Sequence, residues 1–134
     1  MFMKTQKAAK WFGIIFLLIG VLGFVGPLAP EGKLLGIFAV DAVHNIIHIL
    51  SGLIALFLAG SAKGARSYFQ IFGIVYALVT ILGLFGSGSI LGIFVVNGAD
   101  NILHLVIAVL ALYLGFSGSK QASAPMQSQG GMQM

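Results

Sequence analysis

Leu35-Gly36-Ile37-Phe38-Ala39-Val40-Asp41-Ala42-Val43-His44-Asn45-Ile46-Ile47-His48 is written again 56 positions later as Leu91-Gly92-Ile93-Phe94-Val95-Val96-Asn97-Gly98-Ala99-Asp100-Asn101-Ile102-Leu103-His104. The chain reads as a tandem duplication. Nearly all the polar chemistry inside an otherwise apolar sequence falls in these two copies, so any specific function is expected there.

Upstream of each copy runs an apolar segment, Trp11 to Gly26 and Ile71 to Gly86, the second lying 60 positions after the first. The join between segment and copy is Pro27-Leu28-Ala29-Pro30-Glu31-Gly32-Lys33 in the first half and only Ser87-Gly88-Ser89 in the second. This shortening accounts for the change of offset and makes each half a tight helical hairpin. The apolar runs are about 17 to 20 residues long, what an α-helix needs to cross about 30 Å of hydrocarbon. With 59% hydrophobic and 7% charged residues and a mean hydropathy of +1.07, the 134-residue chain has a membrane composition. A spanning β-barrel would alternate apolar and polar residues over segments of about 10, and no such alternation occurs. The first run also resembles a signal-peptide core. Its length, Pro30 directly after Ala29, and its recurrence inside the chain favour a retained helix.

The fold expected is therefore an all-α integral membrane protein with four transmembrane helices, arranged as two tandem parallel-repeat hairpins. Residues 1–10 form a basic cytoplasmic amino terminus. The transmembrane domain covers 11–116, with repeat one at 11–60 and repeat two at 68–116, joined by the polar stretch Ser61 to Ser67. The tail 117–134, rich in Ser, Gly and Gln, is expected to be disordered. Lys4, Lys7, Lys10, Lys63, Arg66 and Lys120 share one side of such a topology against Lys33 on the other. The positive-inside rule then places the protein in the cell membrane with both termini cytoplasmic, and Trp11, Tyr68 and Tyr113 fall at that same boundary. The repeats are parallel, related by an axis along the membrane normal.

Two readings of the second helix differ in where they put its histidines. It could run unbroken from Leu34 to Gly60 and tilt. The preferred reading has Asp41 cap it and Asn97 cap the fourth helix, because short polar side chains satisfy the free N–H groups of a helix start. About 19 residues then follow each cap, and Leu34 to Val40 and Ile90 to Val96 become short segments folded into the outer face.

His44 and His48 stand one helical turn apart, as do Asp100 and His104. Each pair therefore projects from one helix face. The same faces carry Gly52, Ala55 and Ala59 in the second helix and Ala108, Ala111 and Gly115 in the fourth, small residues that let helix backbones approach closely. The second and fourth helices are expected to meet along them. The leading functional expectation is a noncatalytic membrane protein in which His44, His48, Asp100 and His104 form a structural or pH-responsive network one or two turns from the outer surface, within reach of water. Asn45 and Asn101 would tie down neighbouring loops. The sharper alternative is a divalent-metal site, zinc or another transition metal, with His44, His48, Asp100 and His104 as ligands. A third is an oligomeric ion or proton conductor using the same residues.

No cofactor is expected beyond such a metal, and haem is disfavoured because the small faces imply closely spaced helices. The chain has no cysteine, which excludes disulfides, thiolate metal sites and thiol nucleophiles. Neither a phosphate loop nor a nucleophile elbow is present, so no enzymatic activity is expected. The net charge of +4 sits at the ends of apolar runs with no basic stripe, which excludes nucleic acid as a partner and leaves the lipid bilayer and a homo-oligomer.

From Val40-Asp41-Ala42-Val43-His44-Asn45-Ile46-Ile47-His48 with Gly52 beyond it, and its counterpart Val96 to His104, the chain resembles a family of small prokaryotic four-helix membrane proteins known only as a domain of unknown function. The resemblance covers the first helix to the fourth and excludes the tail. It implies the fold and a membrane location and brings no activity. In that family Asn is usual where this chain has Asp41, a departure that adds a carboxylate near His44.

Overall fold

The computed structural model describes residues 2–117; the tail expected to be disordered, beyond Ser117, and Lys120 with it, lie outside the described residues. Four helices carry the fold: α1 (Phe2–Leu22), α2 (Ala42–Leu58), α3 (Ala62–Phe85) and α4 (Gly98–Phe116). Both segments expected to flank the helices are drawn into them. Lys4, Lys7 and Lys10 recur every third residue on the exposed side of the first turns of α1, while Thr5 and Ala9 are buried beside them. Lys63 and Arg66 likewise lie in the opening turns of α3, whose N-cap Ser61 accepts the Gly64 N–H at 2.9 Å.

Three of the helices, α1 from Lys4, α3 and α4, are long and apolar enough to cross a membrane. The fourth falls short of the expected length, since α2 has 17 residues. Its start is set by Asp41, and its end by the tight turn at Ala59 and Gly60 that leads directly into the Ser61 cap.

The all-helical expectation fails ahead of α2 and α4. Lys33–Leu34 (β1) pairs antiparallel with Phe38–Ala39 (β2), and Ser89–Ile90 (β3) with Phe94–Val95 (β4). The turns between them put Leu35 and Gly36 at φ 56° and 72°, and Leu91 and Gly92 at φ 51° and 71°. Glycine adopts this left-handed conformation freely, whereas for leucine it costs roughly 1–2 kcal/mol. The ribbons then close onto the helix starts, with Val40 N–H donating to Gly32 O at 2.9 Å and Val96 N–H to Gly88 O at 3.0 Å.

Packing is strongest within each hairpin, α1 on α2 and α3 on α4, while α1 and α2 each also touch α3. The expectation that α2 and α4 approach along their small residues is overturned: Gly52 and Gly115 meet the other helix of their own hairpin, and Ala55, Ala59, Ala108 and Ala111 join cores that include α1 and α3. A Cβ built at Gly52 would lie 2.7 Å from both Gly13 O and Leu17 N of α1, and one at Gly115 would lie 2.7 Å from Gln70 N of α3. The amino-terminal side of α1 is tied to the end of α2 by Gln6 Nε2, which donates to Ala59 O at 3.2 Å; Arg66 Nε ties α3 to Gly115 O of α4 at 3.1 Å. Near the termini the core is Ala9, Ala55, Ala65, Tyr68, Phe69 and Ala111. Towards the ribbons it continues through Phe16, Tyr76 and Ala108. Large apolar side chains such as Ile14, Leu50, Leu78 and Val109 point outward, as helices that face lipid require.

Candidate metal centre

The helix starts aim the site. Asp41 has an extended backbone and its Oδ1 accepts the His44 N–H at 2.8 Å. Asn97 does the same for the Asp100 N–H at 3.0 Å, and Asp100 Oδ2 returns the bond to Asn97 N–H at 2.9 Å, which completes a capping box. Each start also reaches across to the opposite ribbon. Asp41 Oδ2 accepts from Val95 N–H at 2.8 Å, Asp100 Oδ2 from Ala39 N–H at 3.1 Å, and Asn97 Nδ2 donates to Ile37 O at 2.8 Å. The two hairpins are thereby laced together at the ribbon end, with His44, His48 and His104 facing one another beneath the lacing.

The three imidazoles lie 4.6 Å (His44 to His48), 5.7 Å (His44 to His104) and 6.4 Å (His48 to His104) apart between ring centroids. One nitrogen from each falls within 4.8 Å of the others. They are 1%, 5% and 1% exposed, and Phe94 of β4 lies 5.0 Å from the His44 ring and covers it. The three rings are thus almost wholly covered by protein. The imidazoles of α2 face that of α4 across the space between the two helices.

Asp100 does not join the three-imidazole group. Its Oδ2 is committed to two backbone N–H groups, because the capping position that places it near the site also turns it towards Asn97 and Ala39. Among the described residues no hydrogen bond links a histidine side chain to an aspartate. His44 Nδ1 and Nε2, His48 Nδ1 and His104 Nδ1 all lack a partner at bonding geometry, although the backbones of Val95 and Ala39 lie beside the His44 ring. Asp100 and Asp41 remain within electrostatic reach of that ring. Among the described residues Asn45 and Asn101 make no side-chain hydrogen bond to a loop: they press against Gly23, just beyond the end of α1, and Gly83 of α3, where a Cβ would collide with their Oδ1 atoms. Both of those oxygens are unpartnered.

Residues not singled out from the sequence complete the surroundings. A cavity of about 110 Å³ between α2 and α3 is bordered by the three histidines, Ser51 and Tyr76. Tyr76 is 4% exposed and its hydroxyl has no partner at bonding geometry; the Ser51 side chain lies beside it. On the opposite side, between α1 and α4, a wholly apolar crevice of about 220 Å³ reaches His48 past Phe16 and Ile107. The signal for Tyr76 was a polar group at the position where the first helix has Phe16, 60 residues earlier.

Span-length apolar helices enclosing a buried polar centre are the features of a helical membrane protein. The chain belongs to the family described as a domain of unknown function, DUF4383, which matches residues 6–117. No curated protein and no solved structure matches it.

Proposed function

We propose that this is an integral protein of the cell membrane whose three-histidine centre, His44, His48 and His104, binds one divalent transition-metal ion. Three buried imidazoles that bring one nitrogen each within 4.8 Å of the others carry this reading, the Nδ1 atoms of His48 and His104 having no hydrogen-bond partner among the described residues. A purely structural network satisfies its buried polar atoms, since each orphan costs about 1–3 kcal/mol. Metal coordination satisfies such nitrogens directly, and imidazole suits zinc, copper, iron or nickel. A zinc ion about 2.0–2.1 Å from each nitrogen would draw the rings in from their present spacing by side-chain rotation. The positive charge this places at membrane depth is offset by Asp100 and Asp41, which act as neighbours of His44 and not as ligands. The centre is read as a binding site with no catalytic role.

In the same reading, α2 completes a four-span bundle of two tandem hairpins with both termini cytoplasmic. Features that recur in each half support it: the helix-start caps, the ribbons, and the Gln6 and Arg66 tethers. Cysteine labelling tests the orientation. Ser87→Cys should react with an impermeant reagent from outside and Gly60→Cys should not; the reverse result would place the termini outside.

Elemental analysis of detergent-purified protein tests the metal, with one equivalent per chain expected and a melting point that falls on adding chelator. Absence of stoichiometric metal after reloading with zinc, together with a melting point indifferent to chelator, would leave His44, His48 and His104 as a structural cluster.

A further inference from the structure

We propose that the three-histidine centre is an open site, whose remaining coordination position faces the α2–α3 cavity and takes a water molecule or a small anion held by a hydrogen bond from the Tyr76 hydroxyl. The inference rests on the metal reading and extends it from the ion to what the ion binds.

The ligand count comes first. Closed structural sites for zinc-like ions have four protein ligands, whereas sites with three leave a position for solvent or an exogenous group. Among the described residues no fourth His, Asp or Glu joins the group, and the nearby Asp100 carboxylate is held by the Asn97 and Ala39 N–H groups. Space comes second. The cavity of about 110 Å³ is bordered by all three histidines, and one water needs only about 10–15 Å³ of such volume.

The third element is a hydroxyl-bearing side chain bordering that space. The Tyr76 ring lies 5.5 Å from the His104 ring, and its buried hydroxyl has only the Ser51 side chain, itself on the cavity, beside it. Comparison with the other half shows that packing does not require this hydroxyl. Phe16 lies 5.6 Å from His48 in the corresponding place, so a plain phenyl ring suffices there. Ser51 likewise stands where α4 has Ile107. Both exchanges of apolar for hydroxyl fall on the cavity that borders all three histidines, and the α1–α4 crevice stays apolar.

A cobalt(II)-loaded sample in detergent tests the proposal, with azide as the probe ligand and the visible d–d bands as readout. In the parent protein azide should shift the bands along a single-site saturation curve. Tyr76→Phe should keep one cobalt per chain and need about fivefold more azide, the scale of one lost hydrogen bond. If Tyr76→Phe does not fold, Val79→Trp, which fills the same cavity, should keep cobalt and weaken azide at least tenfold. A cobalt spectrum unmoved by azide, or variants that titrate like the parent, would overturn the open site while leaving the metal centre standing. Failure of the parent to bind cobalt would remove both, and His104→Ala, which should lose cobalt where Tyr76→Phe retains it, tells the two failures apart.

Discussion

The two hairpins of this protein are laid out alike and differ where it matters chemically. The first contributes two histidines to the centre, His44 and His48, and the second only His104, because Asp100 occupies the place that corresponds to His44. That aspartate is drawn into a capping box and across to the Ala39 N–H, whereas the His44 ring joins the three-imidazole group. The crevices beside the centre diverge in the same way, one with Tyr76 and Ser51, the other with Phe16 and Ile107. In the proposed reading the two hairpins serve as similar frames, in which one position serves stability and its counterpart binding.

The most forceful test of this division is removal of a ligand. His104→Ala should lower metal affinity by more than the roughly 10–100-fold typical of losing an outer partner of a metal ligand. His48→Ala, at the corresponding position of the first half, should match it, and Asp100→Asn should not. Equilibrium dialysis against zinc measures all three; an Asp100→Asn loss as deep as that of His104→Ala would return the aspartate to the ligand set.

Backbone packing gives the next effect. Hairpin one closes with Gly52 against Gly13 O and Leu17 N, contacts that leave no room for a methyl group, whereas hairpin two has Ala108 at the corresponding place. Gly52→Ala should therefore destabilise by about 1–3 kcal/mol through overpacking. Ala108→Gly should cost about 0.5–1 kcal/mol through helix entropy. Thermal melts in one detergent compare them, and equal small losses would show that both hairpins pack with the same slack.

A smaller effect separates the caps. In Asp41→Asn the side-chain oxygen can still cap His44 N–H, but the amide has no second acceptor for Val95 N–H, a loss of about 0.5–1.5 kcal/mol. Asp100→Ala removes both the capping box and the Ala39 bond and should cost more. Should the two variants melt alike, the lacing between hairpins would count for little beyond the local cap.

What could be read from the sequence was what depends on near neighbours. Composition and run length decide that the apolar segments are helices fit for a membrane, because hydrocarbon leaves the backbone no other partner than itself. Asp41 and Asn97 were legible as caps because a cap is settled within one turn, by a side chain and the N–H groups three residues on. Tertiary structure alone decided the rest. Gly52 and Ala108 marked a close approach without naming the helix that approaches, since a small residue accepts any backbone that fits. Asp100 stood one turn from His104 and looked like a ligand, but its hydrogen bond to Ala39 spans 61 residues and follows from how the hairpins dock. The ribbons were hidden for a related reason: Leu35 and Leu91 occupy a left-handed turn in which Asn or Gly would have announced a hairpin. That three imidazoles converge, and that Tyr76 faces the space beside them, follows from packing between segments far apart in the chain, which no local pattern records.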